Sequence, residues 1–273
     1  MGNTLEVSNL TFNYGIDNNN KIIEDLTFSV AENEVVAILS PNSEGKTTLI
    51  KILSGMEKKE LGKIILNDIE LSNKTFNSYH TKIGTVFENI DRQFICETVK
   101  DEIIYPLYNL NFNSAHINKR VSELAEFFGI NNMLKKNSSE LKMIDKIKVL
   151  LASSIAHNPD LLLIDDVFKY LNDNDRKKIF KLLKEISTKM HIAFLYTTSN
   201  INDAINASNI IVMSHGKKAM EGTFEEIIKS DNELSKMGID IPLMIDLSRK
   251  LEFYNLVDKI YFDVDEVVDR LWN

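Results

Sequence analysis

Glycine is scarce in this chain, with 10 among 273 residues where ordinary usage of about 7% would supply about 19. That shortage excludes collagen-like and glycine-rich chains, and it bears on any motif built from glycine. Cysteine is scarcer still. The single Cys96 cannot form an internal disulfide, and no Cys/His spacing resembles a zinc site, so the thiol reads as a small apolar packing residue in a reducing compartment. Long hydrophobic runs are missing as well. The longest, VVAIL at 35–39 and LLLI at 161–164, fall far short of the roughly 20 residues needed to cross a bilayer. The N-terminus, MGNTLEVSNL, lacks a charged segment followed by an apolar core, and Glu6 breaks the myristoylation pattern. Excess positive charge is also lacking. Lys and Arg number 32 against 40 Asp and Glu, a net charge of −8, and the lysine pairs at 58–59, 135–136, 177–178 and 217–218 are short and interrupted by acids. Nucleic-acid binding needs a concentrated basic footprint, so no nucleic-acid partner is expected. The expectation is a soluble cytosolic chain that could still dock on a membrane protein.

What is present suits a folded core: 44% of residues are hydrophobic and 26% charged. The length fits one large domain or two modest ones, without need of metal or disulfide staples. LEVSNLTFNY and the segment at 22–30 read as half-exposed antiparallel strands around a GIDNNNK turn. EVVAILS at 34–40 is apolar on both faces, as in a buried parallel strand, and a helix follows at 46–56. Strands are expected at 63–68, 82–88, 160–166, 192–198 and 209–214. Between the second and third of these, 98–157 reads as largely helical, with a kink or break at Pro106 and helices at 114–128 and 139–157. A further helix is expected from Asp173 to Met190, and the tail from 224 reads as short helices. Strands flanking a helical insertion indicate an α/β core with a helical subdomain inside it.

Two segments could carry phosphate chemistry. A buried strand, a tight loop and a helix beginning GKTT supply backbone N–H groups and a helix N-terminus for an anion, Lys46 for phosphate and Thr47 for Mg²⁺. The strict pattern needs a first glycine where Ser40 stands, so GKTT alone equally fits an ordinary strand-to-helix turn. DLLLIDD places Asp165 and Asp166 at the C-terminal end of a buried strand, where open α/β sheets bind ligands and where a carboxylate can hold Mg²⁺. Paired carboxylates there also fit a solvated strand end. Together, the two segments favour the phosphate site.

With these motifs the chain resembles the ATP-binding subunits of ABC transporters, most similar among them to the ATPases of energy-coupling factor (ECF) importers. The resemblance runs from LEVSNLTFNY to VVDRLW. SPNSEGKTTLIKILSGM matches the Walker A loop and helix, VFENIDRQF the Q-loop, NPDLLLIDD Walker B, and LSKMGIDIPLMIDLSRKL a tail characteristic of ECF ATPases. It implies a P-loop NTPase fold of α/β class, with an N-terminal antiparallel β part, an inserted helical subdomain and a short C-terminal extension. The implied boundaries are 4–230 for the ATP-binding domain, about 98–157 for the helical subdomain and 231–273 for the extension.

The resemblance also assigns roles, with departures. Tyr14 falls where an aromatic stacks on adenine, although a strand aromatic in the core is the alternative. Ser40, Pro41, Asn42, Ser43, Glu44, Gly45, Lys46, Thr47 and Thr48 form the phosphate loop; Thr47, Asp165 and Glu88 are the implied Mg²⁺ ligands. Ser40 and Ser43 replace two loop glycines, at a cost of roughly 1–2 kcal/mol if either needs positive φ, and Glu44 adds a negative charge beside the loop. The family's catalytic glutamate falls on Asp166, its γ-phosphate histidine on Ser199 and its Q-loop glutamine on Glu88, which adds repulsion toward a nucleotide. The LSGGQ signature falls on Leu141, Lys142, Met143, Ile144 and Asp145, with Met143 and Ile144 placing bulk where backbone must approach phosphate, and the D-loop aspartate becomes Asn172.

The function implied is coupling of ATP binding and hydrolysis to uptake of a vitamin, metal ion or other small solute, with impaired catalysis. The implied partners are a second ABC ATPase subunit, identical or not, a transmembrane coupling subunit docking around Glu88 to Pro106, and a substrate-binding membrane subunit, at the cytoplasmic face of the membrane. The alternative is an inactive structural or regulatory partner of a second ATPase. An unrelated P-loop kinase or GTPase would leave the ECF-like tail unexplained.

Overall fold

The computed structural model describes residues 2–15, 21–261 and 264–272, apart from the side chains of Asp265 and Trp272. The expected GIDNNNK turn lies mainly outside the described residues, at 16–20. The chain begins with β1 (Asn3–Phe12) and β2 (Ile23–Ala31), then β3 (Val35–Leu39) and α1 (Lys46–Leu53). Next come β4 (Leu61–Leu66), β5 (Ile69–Glu70), α2 (Phe76–His80) and β6 (Ile83–Val86). Three helices follow: α3 (Val99–Asn109), α4 (Ser114–Phe128) and α5 (Met143–Ser154). The second half holds β7 (Leu161–Asp165), α6 (Asp173–Met190), β8 (Ala193–Thr198), α7 (Ile201–Ala204), β9 (Asn209–Ser214) and β10 (Lys217–Gly222). Four helices close the chain: α8 (Phe224–Ile228), α9 (Asp231–Lys236), α10 (Leu243–Phe253) and α11 (Val264–Trp272). Among the described residues no helix is long and apolar enough to cross a membrane.

The strands form two sheets, an antiparallel one ordered β2-β1-β4-β5 and a larger one ordered β10-β9-β3-β8-β7-β6. In the larger sheet every pairing is parallel except that of β10 with β9. Side-chain alternation explains why its strands are apolar throughout. Val36 and Ile38, Leu161 and Leu163, and Ala193 and Leu195 face the antiparallel sheet and α1. Ala37 and Leu39, Leu162 and Ile164, and Phe194 and Tyr196 face the helices on the other side. Both faces are dry, so neither can tolerate a polar alternation. Leu234, Ile239 and Ile245 of the tail join the helix-side core, whereas Val257, Tyr261 and Val267 form a cluster of their own.

Two local expectations differ from the structure. The helix carrying Pro106 runs unbroken from Val99 to Asn109. Proline removes the N–H that would bond the Glu102 carbonyl four residues back, and the Ser153 hydroxyl of α5 donates to that carbonyl instead at 2.8 Å. The helix expected from 139 begins at Met143, because Asn137 and Glu140 close a capping box around a separate short turn at 138–140. Helix α6 spans the expected residues, capped by the Asn172 side chain, which accepts from the Asp175 N–H at 2.9 Å.

Strand register gathers the distant motifs. Leu39 pairs with Thr198, Thr197 with Asp165, and Ile164 with Val86, so the C-terminal ends of β3, β8, β7 and β6 lie side by side. The segments leaving those ends carry Ser40, Ser199, Asp166 and Glu88.

Candidate nucleotide site

The loop between β3 and α1 wraps a helix N-terminus. Gly45 is the N-cap of α1 with φ of 90°, a conformation L side chains avoid, and a Cβ there would meet Ile22 at 3.0 Å. No side chain caps this terminus and no acidic residue occupies its first turn, so its N–H groups and dipole are free for an anion. Lys46 is buried, and its ammonium donates to the carbonyls of Ser40 at 2.7 Å and Pro41 at 2.8 Å. Burial lowers its pKa, against the opposing charges of Asp166 and Asp165. Tyr14 is exposed, and its hydroxyl lies 3.3 Å from that of Thr48.

Only one of the two loop serines is strained. Ser43 has φ of 67°, while Ser40 keeps an ordinary φ, lies fully buried and donates its N–H to the Thr198 carbonyl at 3.1 Å. The Glu44 carboxylate accepts the His215 N–H at 2.6 Å, so its charge is turned toward the β9–β10 turn.

Beside the loop stands a carboxylate with a spare oxygen. Asp165 is fully buried; its Oδ1 accepts from the Thr197 hydroxyl at 2.9 Å, and its Oδ2 has no hydrogen-bond partner. Burial raises its pKa, and the nearby hydroxyls of Thr47 and Thr197 oppose the rise. Thr47, Glu88, Asp165 and Tyr170 line one cleft of about 340 Å³. Among the described residues no three His, Cys, Asp or Glu side chains converge on a metal position. One carboxylate with an unused oxygen and one adjacent hydroxyl suit Mg²⁺, which commonly takes its remaining ligands from substrate phosphates and water. The residues present therefore fit that ion.

Asp166 sits in the left-handed region with φ of 46°, and its N–H donates to the Thr197 hydroxyl at 3.0 Å. Burial raises its pKa, opposed chiefly by Lys169 and Lys46. Lys169, three residues on, has its ammonium 3.5 Å from the Asp166 carboxylate and in a short ion pair with Glu88. Burial would lower the Lys169 pKa, but Glu88 and Asp166 outweigh it and the pKa is raised. The repulsion expected from Glu88 is thus met by a cation that the sequence reading did not single out. Ser199 occupies the loop between β8 and α7, half-buried. Gln93 closes the segment after Glu88, its amide donating to the carbonyl of Phe87 at 2.7 Å and accepting the Phe87 N–H at 2.7 Å.

The ABC transporter family model matches residues 23–169, from β2 through the short turn that carries Lys169. The chain belongs to the ABC transporter family. Among curated relatives, the energy-coupling factor transporter ATP-binding protein EcfA1 of Lacticaseibacillus paracasei is 30% identical over 273 residues, all of this chain and 98% of that one. The EcfA1 protein of Streptococcus thermophilus is 28% identical over 98% of each chain. Among solved structures, CbiO1 of Clostridium perfringens, described as part of the ABC transporter complex CbiONQ, superposes with a TM-score of 0.79 at 24% identity, covering 92% of this chain and all of that one. A dimeric ATP-binding cassette bound to ADP and phosphate superposes at 0.72 with 22% identity, over 81% of this chain and 98% of its own. These structures share the P-loop α/β fold.

The segment from Leu141 to Asp145, which the sequence resemblance sets at the family's signature, is turned partly into the protein. Leu141 and Ile144 are buried in the helix-side core, and Met143 packs against it, so the bulk of Ile144 points inward. The exposed residue at the α5 N-terminus is Lys142, and Asp145 occupies the first turn of that helix.

Proposed function

We propose that this chain is the ATP-binding subunit of an ECF-type importer, binding Mg·ATP in the cleft between Lys46 and Asp165 and hydrolysing it slowly. The observation that carries the reading is the convergence of an uncapped helix N-terminus, a buried lysine and a buried carboxylate with an unpartnered oxygen. On nucleotide binding, Lys46 exchanges two neutral carbonyl acceptors for charged phosphate oxygens, which are stronger partners. Thr47 and Asp165 are assigned to hold Mg²⁺, with Glu88 at the rim of the same cleft. The bound ion would neutralise charge on the phosphates during transfer. The exposed Tyr14 ring offers a stacking face for the base.

Slow turnover follows from the residues assigned to the chemistry. Asp166 is one methylene shorter than the family glutamate, and a misplacement of about 1 Å can cost about 10²-fold in rate. Ser199 replaces the family histidine, and losing a preorganised donor of this kind costs roughly 3 kcal/mol. The segment from Leu141 to Asp145, assigned to the signature, has Lys142 at the serine position and Met143 and Ile144 at the two glycine positions, and Asn172 caps α6 at the assigned D-loop position.

The relatives are named as transporter ATP-binding proteins, and CbiO1 as part of a transporter complex, which supports partnership with a second ATPase subunit, identical or different. It supports equally a transmembrane coupling subunit and a substrate-binding membrane subunit, at the cytoplasmic face of the membrane. The exposed Ile95, Tyr105 and Tyr108 offer the docking surface near Glu88 and Pro106. The cargo is a vitamin, metal ion or other small solute, selected by another subunit. The domain reading is 4–230 with the helical part at 98–157, followed by an extension at 231–273.

Steady-state ATP hydrolysis by the purified transporter assembly tests the proposal. Slow turnover that falls further in Lys46→Ala supports it. Turnover unaffected by Lys46→Ala assigns the chain the inactive, structural role instead.

A further inference from the structure

Glu88, Asp165 and Lys51 line the cleft, and Asp166, Lys46 and Lys169 lie within electrostatic reach of it. Lys46 feels the charges of Asp166, Asp165, Lys169 and Glu88, which places Lys169 within electrostatic reach of the phosphate lysine. The position of Lys169 follows from the backbone. Asp166 turns the chain in the left-handed region, and the short 3-10 turn Val167–Tyr170 brings residue 169 back over residue 166, since side chains three apart eclipse one another in such a turn. The Lys169 ammonium lies 5.4 Å over the Tyr170 ring, which also lines the cleft. Its two anionic partners are the residues assigned to the catalytic carboxylate and to the Q-loop. Counting Asp165, Asp166 and Glu88 against Lys46, Lys169 and the cleft-lining Lys51 leaves no net charge. Removing Lys169 would leave −1 facing an anionic nucleotide, with Glu88 and Asp166 both unpaired.

Resting on the nucleotide-site reading above, we propose that Lys169 is a positioning residue for that site: it neutralises and holds Glu88 and Asp166, so that residues 88 and 169 act as one charge-compensated pair permitting Mg·ATP to bind. An ordinary exposed salt bridge contributes little, and truncating either end has a small effect. Here the two ends differ in their consequence. Losing the cation exposes two carboxylates to the phosphates, whereas losing the Glu88 charge leaves only Asp166 for the cation to offset. The effects of the two substitutions on nucleotide affinity are therefore coupled.

The test is equilibrium binding of a fluorescent Mg·ATP analogue to the purified chain, in wild type, Lys169→Met, Glu88→Gln, the double variant and Lys169→Arg, with thermal unfolding of each variant recorded alongside. Lys169→Met is expected to weaken binding about tenfold, an effect that shrinks at high salt. In the Glu88→Gln background the same Lys169→Met substitution is expected to change binding by less than about twofold, and Lys169→Arg to keep affinity within about twofold of wild type. A structural role for Lys169 would lower the unfolding temperature without recovery of affinity by Glu88→Gln. Additive effects, or unchanged binding in Lys169→Met, overturn the inference while the site reading stands. Absence of saturable binding by wild type overturns both.

Discussion

At the residue scale, left-handed backbone is where the shortage of glycine is resolved. Among the described residues, the non-glycine residues with positive φ are Asn, Asp and His except for Ser43. Asparagine, aspartate and histidine enter that region at modest cost, so the chain replaces turn glycines with side chains that tolerate it. Ser43 is the costly position, and it lies in the phosphate loop. Ser43→Gly is expected to raise stability by up to about 1 kcal/mol in urea denaturation, the relief of strain exceeding the entropy that glycine loses on folding. No change, or a loss, would count against strain there. A second residue links stability to pH. Asp203 is buried, accepts from Thr198 at 2.9 Å and lies 3.1 Å from the Arg176 guanidinium, yet burial pushes its pKa up to about 6 from an ordinary 3.8. The folded chain thus keeps a proton that the unfolded chain has released. This contribution is present below pH 3.8 and lost as pH rises through about 6. Measured against Asp203→Asn by denaturation, wild-type stability should fall by up to about 3 kcal/mol across that window; a constant difference would contradict the assignment. Lys46, Thr47, Asp165 and Asp166 were legible in the sequence because each stands in a local strand-end or helix-start pattern. Lys169 was not, since its partner Glu88 is 81 residues away and the pair exists only once β6 and β7 are neighbours.

At the scale of elements, the parallel strands and α6 could be read from continuous apolar runs and helical spacing, because burial on both faces leaves no alternation. The helices between β6 and β7 were harder to delimit. Pro106 signals a break, and only the tertiary partner Ser153 on α5 explains why α3 continues. Ser153→Ala leaves the Glu102 carbonyl without that donor. It should cost about 1 kcal/mol in global stability. Hydrogen exchange should show the loss concentrated in α3; uniform protection across α3 and α5 would mean that another group satisfies the carbonyl. Glu102 itself accepts the N–H groups of Ile95 and Cys96 at 3.0 and 2.9 Å, so α3 also fixes the exit of the loop that carries Glu88. The signature segment illustrates the opposite limit. Its sequence announced bulk at Met143 and Ile144, but the helical phase of α5, which turns Ile144 into the core and Lys142 outward, was not apparent before the start of the helix was known.

For the whole molecule, membership of the ABC transporter family and a cleft between α1 and the ends of β6 and β7 stand beside departures at the positions we assign to the γ-phosphate. On the proposed assignment, binding and turnover are separated. The residues proposed for phosphate and Mg²⁺, Lys46, Thr47 and Asp165, are buried or beside the cleft, while those proposed for hydrolysis, Asp166, Ser199 and Glu88, are shortened, replaced or ion-paired. We propose that this chain is a nucleotide binder first and a slow hydrolase second. The decisive measurement is equilibrium binding of labelled Mg·ATP to the purified chain. Saturable binding in the micromolar range that is lost in Lys46→Ala is the predicted result; no binding at millimolar nucleotide would contradict it.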